Sequence, residues 1–189
     1  GDHRDLHSFP TRRSSDLQGL RPAPRLYRVI DFVVNSIRSF PIIILIVAIS
    51  PVTRLLVGTT IGEKAAIFPL TVAATPFMAR IIESGMKSVD RQLIEAARSF
   101  GASDWQIIVR VMLKESMPLI VSGTTLSAIM FLSATTLAGA VGAGGIGAVA
   151  LNYGYQSFNN TVLYTSVVIL FIMVQVIQVV GDYLYKKIL

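Results

Sequence analysis

The 189-residue sequence has no cysteine, and its two histidines both fall within the first seven residues. The first absence excludes disulfides, thiolate nucleophiles and cysteine-ligated metals; the second leaves the body of the chain without a histidine-based metal or acid–base constellation. A G-x-x-x-x-G-K-[ST] phosphate loop is also missing. Near the apolar segments the acids and bases reduce to Arg80, Glu83 and Asp182, which make no nucleophile–base pair. No catalytic residue, metal or cofactor is expected, and the chain does not read as an enzyme.

What is present is mostly apolar. With 52% hydrophobic residues and a mean hydropathy of +0.61, the chain is too apolar for a soluble domain of this size. The expected fold class is an all-α membrane protein, a polytopic transmembrane helical bundle with four visible spans at about 30–57, 65–86, 118–141 and 162–184. Pro51 and Arg54 interrupt the first, which reads either as a broken helix beside a translocation path or as a poorly formed, kinked span. The second contains Pro69 and Pro76, which predict kinks, and carries Arg80 and Glu83 at the spacing of a pair on one helix face. The third is rich in hydroxyls, among them Ser122, Thr124, Thr125, Ser127, Ser133, Thr135 and Thr136. Such residues suit close helix approach and cross-helix hydrogen bonds, with pore lining as the alternative. On the fourth, Gln175 and Gln178 share a face, where each amide wants a partner in the same chain or in a second copy.

The net charge of +6 is spread over short inter-helix segments, a pattern of membrane topology and not of nucleic-acid binding. Arg21, Arg25, Arg28 and Arg38 precede or begin the first span. Lys87, Arg91, Arg98, Arg110 and Lys114 lie between the second and third, and Lys186 and Lys187 follow the fourth. Only Arg54 and Lys64 fall on the other side, so the bias places the 91–103 segment and the C-terminus in the cytoplasm, with membrane lipid around the spans. Residues 1–17 are polar and aperiodic and read as a non-native, disordered, adapter-derived tract, which leaves 18–189 as the transmembrane domain.

The polar segment 91–103 reads RQLIEAARSFGAS. A short helix there would present Arg91 and Glu95 on one side and small residues on another. Gly101 is expected to end it in the left-handed conformation. Ser103 or Asp104 then caps a second helix from Trp105, with Ile107, Ile108, Val111 and Met112 at helical spacing. Glu95, Ala96 and Ala97 followed by Gly101 resemble the EAA loop of the permease subunits of bacterial ABC importers. Val111 stands where that pattern has isoleucine, Leu113 at its leucine, and Lys114 where it has proline.

Further along, Gly142, Gly144 and Gly147 spell G-x-G-x-x-G, but they follow a membrane-length apolar segment and no acid lies about 20 positions on. A glycine bend where backbone passes close to another helix replaces the dinucleotide reading. The run GAVGAGGIG (139–147) with Tyr153, Gly154 and Tyr155 resembles the methionine-type branch of the same permeases.

These resemblances imply a permease subunit of an ATP-driven importer in a bacterial cell membrane, taking up methionine or a related amino acid. They imply a homodimer working with two copies of a cytoplasmic ABC ATPase and an extracellular or periplasmic substrate-binding protein. Arg91, Glu95, Ala96, Ala97 and Gly101 would couple to the ATPase. Leu137, Gly139 and Gly142 are expected along the translocation path, with Leu137 at or near its narrow part; an ordinary lipid-facing or packed leucine is the other reading. A permease for another small solute, and a channel or scaffold that merely shares small-residue packing, are the other readings. Permeases of the resembled branch have five spans, so a first span is expected to be missing ahead of Gln18, and the 189 residues by themselves are expected not to support transport.

Overall fold

The computed structural model describes residues 24–188; the tract at 1–17 and Arg21 lie outside them. Every regular element among the described residues is a helix. In hydrocarbon no water is available to backbone N–H and C=O groups, and a helix satisfies them within one segment.

The expected first span is divided into three pieces. Helix α1 (Pro24–Ser39) is bent by 104° from α2 (Ile42–Ala48). The break falls at Pro41 (φ −55°, ψ 136°), which has no N–H with which to continue α1, while the N–H of Phe40 turns back onto the Ile37 carbonyl at 3.3 Å. Helix α3 (Ser50–Val57) starts with Pro51 in its first turn, where the missing N–H costs nothing, and stops at Gly58 (φ 84°).

Helix α4 (Glu63–Lys87) passes through Pro69 and Pro76 as one 25-residue element, and both prolines are buried. The short α5 (Arg91–Ser99) follows. Helix α6 (Asp104–Ala138) runs for 35 residues through Lys114 and Pro118, with one stretch of wide π-helical turns at Ile107–Met112. The glycine-rich run then forms a π turn (Gly139–Ala143), the one-turn α7 (Gly145–Ala148) and a second wide-turn stretch (Val149–Tyr155). Helix α8 (Asn160–Ile188) closes the described chain. Helices α4, α6 and α8 are each long and apolar enough to cross a membrane, and α1 with α2 adds a fourth crossing when taken as one broken span.

The apolar core is small and mostly alanine: Ala65, Ala134, Ala138, Ala148 and Ala150, with Leu45 and Ile107. Large side chains such as Phe171 and Ile172 point outward, as lipid-facing residues do. Lipid tails are as apolar as leucine, so helix association here rests on close van der Waals packing at small residues. Helix α6 is the common partner of α4 and α8. A Cβ on Gly123 would press on Ile81, one on Gly147 would overlap the backbone of Thr136, and one on Gly181 would overlap Thr125. Among the described residues the hydroxyls of α6 do not bridge helices. Thr124, Thr125, Ser127, Ser133 and Thr136 donate to carbonyls four residues back, and Thr135 donates to one three back. They pack as small apolar groups whose polar atom is satisfied locally.

Gly147→Leu drives a side chain into fixed backbone and is expected to cost about 1–3 kcal/mol, the usual range for overpacking. Gly123→Ala adds one methyl that meets the Ile81 side chain and no backbone, and it should cost less. Thermal unfolding of the two variants in detergent micelles compares them directly.

Candidate functional site

The polar segment between α4 and α6 is built by its caps. Asp90 accepts the N–H of Gln92 at 2.8 Å and starts α5. At the other end the N–H of Ala102 reaches the Ala97 carbonyl (3.1 Å) and that of Gly101 reaches Arg98 (2.9 Å), while Gly101 sits at φ 79°. This pair of bonds is a Schellman closure, which uses the left-handed glycine the sequence places there. Ser103 then forms a capping box with Gln106: the Gln106 side chain accepts the Ser103 N–H (2.9 Å) and the Ser103 hydroxyl accepts the Gln106 N–H (3.4 Å). Helix α6 starts at Asp104, one residue before the expected Trp105.

On α5, Arg91 Nε and Glu95 Oε1 are 3.2 Å apart, the i,i+4 pair that the spacing predicts. Arg98 faces Asp104 at 3.7 Å across the turn. Ala96 is exposed, Ala97 is half-buried and Glu95 is exposed, so the helix presents a small-residue face with a flanking charge. Behind it, α5 packs on the wide-turn stretch of α6, where Ile107 is wholly buried. Phe100 and Trp105 flank the turn and are almost uncovered, at 92% and 72% exposure.

A second polar constellation ties α1 to α4. Arg80 donates to Asp31 (2.6 Å), Asn35 (2.7 Å) and Glu83 (2.7 Å), and Asn35 in turn donates to Asp31 (3.0 Å). Glu83 also accepts from Tyr27 (2.8 Å) and Lys87 (2.5 Å). The Arg80–Glu83 pair was readable as a helix-face spacing; Asp31, Asn35 and Tyr27 were not, because they come from 45 to 60 residues away in the chain. One step further along, the Arg38 guanidinium lies 5.5 Å from the centroid of the Phe77 ring.

The residues expected along the path gather at the other end of α6. Leu137 is half-exposed near the helix end. Gly139 is buried, and a Cβ there would stand 2.8 Å from both the Ala148 nitrogen and the Gly144 carbonyl oxygen. Gly142 (φ 92°) is exposed, and its carbonyl accepts the N–H of Gly62 at 2.9 Å, which joins the glycine bend to the loop before α4. Leu137 and the two glycines thus sit in one region, while Arg91 to Gly101 sit at the opposite end of α4 and α6. Among the described residues no cluster of three metal-binding side chains occurs.

The model of the family described as "Binding-protein-dependent transport system inner membrane component" matches residues 17–188. The chain is 45% identical over 171 residues to the "Probable D-methionine transport system permease protein MetI" of Vibrio cholerae, covering 90% of this chain and 76% of that one. It is 44% identical to the "Methionine import system permease protein MetP" of Bacillus subtilis, over 82% of this chain and 69% of the relative. Among solved structures, an inward-facing form of the MetNI methionine ABC transporter superposes with a TM-score of 0.83 at 44% identity, covering 87% of this chain and 76% of that one.

The charged face between α1 and α4 makes its own prediction. Arg80→Gln leaves Asp31 and Glu83 without their shared cation and should lower the thermal midpoint in detergent. Asp31→Asn should then lower it less in the Arg80→Gln background than in the native one, because both changes remove the same contact. A double-mutant cycle reads the coupling, and fully additive shifts would show the two side chains to be independent.

Proposed function

This chain belongs to the family of binding-protein-dependent transport system inner membrane components, and from that membership we propose that it is the permease subunit of an ATP-driven importer for methionine or a closely related amino acid. It is a multi-pass protein of the bacterial cell membrane. It works as a homodimer with two copies of a cytoplasmic ABC ATPase and an external substrate-binding protein. The observation that carries the reading is α5 itself, a rigidly capped polar helix held between two membrane-length helices. Arg91, Glu95, Ala96, Ala97 and Gly101 form the face that enters the ATPase. The lysine and arginine bias supports a cytoplasmic position for this segment and for the C-terminus. Gln175 and Gln178 support self-association, since both amides are exposed on α8 and neither is hydrogen-bonded to a described residue.

ATP binding in the partner supplies the energy. Closure of two ATPases draws the two copies of α5 together, and the spans rock as rigid bodies between an inward and an outward opening. On the far side, Leu137 blocks the narrow part of the path, while Gly139 and Gly142 allow the backbone beside it to pack closely and turn. Selection among amino acids falls mainly to the external binding protein.

Two measurements follow. Gly101→Pro is incompatible with the φ of 79° and removes the N–H bonded to Arg98. It should abolish co-purification of the ATPase while the protein still inserts in the membrane, and undiminished co-purification would refute the docking assignment. Leu137→Ala should raise ATP-independent methionine leak from loaded vesicles; unchanged leak would remove Leu137 from the path.

A further inference from the structure

A groove of about 380 Å³ opens between α1 and α6. Its floor is Phe77, Arg80 and Ser84 of α4, and its walls include Arg38 of α1 and Ser122 and Leu126 of α6. Thr75 is the midpoint of α4, so Phe77 and Arg80 lie only about 3 and 8 Å from mid-helix along its axis. Both levels fall inside a hydrocarbon half-thickness of about 15 Å.

Arg80 at that depth is offset by Asp31 and Glu83. Arg38 is not: among the described residues it has the Phe77 ring and no carboxylate. A cation held inside a membrane without an anion is costly, and such residues face the bundle interior or a water-filled cavity. The serines add a second, independent sign. The hydroxyls of Ser84 and Ser122 line the groove without a hydrogen bond to any described residue, whereas Thr124 and Ser127, further along α6, are satisfied by their own helix. Two guanidiniums, two uncommitted hydroxyls and no carboxylate line an open groove whose apolar walls include Phe77 and Leu126. Its volume falls at the small end of ligand sites.

We propose that this groove is water-filled and receives the carboxylate of the transported amino acid on Arg38, with its apolar side chain against Phe77 and Leu126. The inference rests on the transport reading above and gives it a location for the solute inside the membrane. The depth decides between sources of the anion. A lipid phosphate lies at the boundary, about 15 Å from the midplane, well short of the level of Arg38.

The absence of native cysteine makes the test clean. Ser84→Cys and Ser122→Cys are each labelled in inverted membrane vesicles with sulfonatoethyl (anionic) and trimethylammonioethyl (cationic) methanethiosulfonate. Ile172→Cys on the outward face of α8 serves as the unreactive control. Both groove positions should react, the anionic reagent roughly fivefold faster or more, as expected beside an uncompensated cation. Methionine should slow labelling and methionine amide, which lacks the carboxylate, should not. Arg38→Gln should erase the preference for the anion, and the native-background cysteines carry the test if that variant fails to fold. No labelling, equal rates for the two reagents, or equal protection by the amide would overturn the proposal. Slowing by phosphatidylglycerol-rich vesicles in place of methionine would overturn it in favour of a lipid headgroup. Methionine uptake by the unsubstituted permease–ATPase complex is measured in parallel. Uptake with unselective labelling overturns the groove alone, and absence of both uptake and ATPase co-purification overturns the transport reading on which it stands.

Discussion

Nothing in hydrocarbon pushes apolar helices together, so this structure depends on how closely backbones approach along α6. The contacts that hold α4 and α8 to it are made at Gly123, Gly181 and Thr125, where the opposing atoms leave no space for a larger side chain. Dispersion falls steeply with distance, and a crossing at a glycine brings far more atom pairs into range than one at leucine. The large side chains are thereby released to the outside, where Phe171 and Ile172 meet lipid. A core made mostly of alanine is therefore the expected product of this solvent and would be a poor one in water.

The same solvent sets the terms for polar groups. Hydroxyls on α6 are satisfied by the carbonyls of their own helix, which lets them sit at crossings without needing a partner across the gap. The charges cannot be satisfied that way and are gathered instead. Arg80 collects Asp31, Asn35 and Glu83, and Glu83 collects Tyr27 and Lys87, so that α1 is fixed to α4 along three of its turns. Each member satisfies another, and removing one leaves the rest short of a partner. Arg38 stands at the end of this series with an aromatic face and an open groove, which is why it reads as a binding group and the others read as fasteners.

Features specified by neighbours in sequence were legible before the structure. Helical spacing gave Arg91 with Glu95 and Arg80 with Glu83, and Gly101 followed by Ser103 gave the stop and restart between α5 and α6. The membrane class followed from composition, and the permease resemblance from Glu95, Ala96, Ala97 and Gly101. What escaped was set by distant partners. Pro51 and Arg54 announce the interruption of the first span, whereas the 104° bend falls earlier, at Pro41, with an angle that depends on what α2 packs against. The glycine run announced a bend, but not that Gly142 would accept a bond from Gly62. The hydroxyls of α6 suggested bonds across helices because spacing alone does not reveal whether an i−4 carbonyl has already taken the proton. Asp31 and Arg38 carried no signal at all beyond their charge, because the residues they meet lie about 40 to 50 positions away.

These local and distant features meet mechanically at the α4–α5 junction. Only residues 88–90 connect the two helices, and they are tied down: the Ser88 hydroxyl bonds the Gly85 carbonyl and Asp90 caps α5. On the other side α5 rests on the buried Ile107 at the foot of α6. A displacement of α5 therefore enters α4 and α6 together, and those two pack closely through Gly85 and Gly123. Because Arg80 fastens α1 to α4, the motion carries α1 with it. The three helices that line the groove thus move as one body when α5 moves, and any change in access to Arg38 has to come from the pieces beyond that body. The bend at Pro41 and the glycine bend at Gly142 are where the regular helices break. Both sit at or beyond the end of α1 and α6 away from α5, which is where an alternating opening needs its hinges if the handle is to stay rigid.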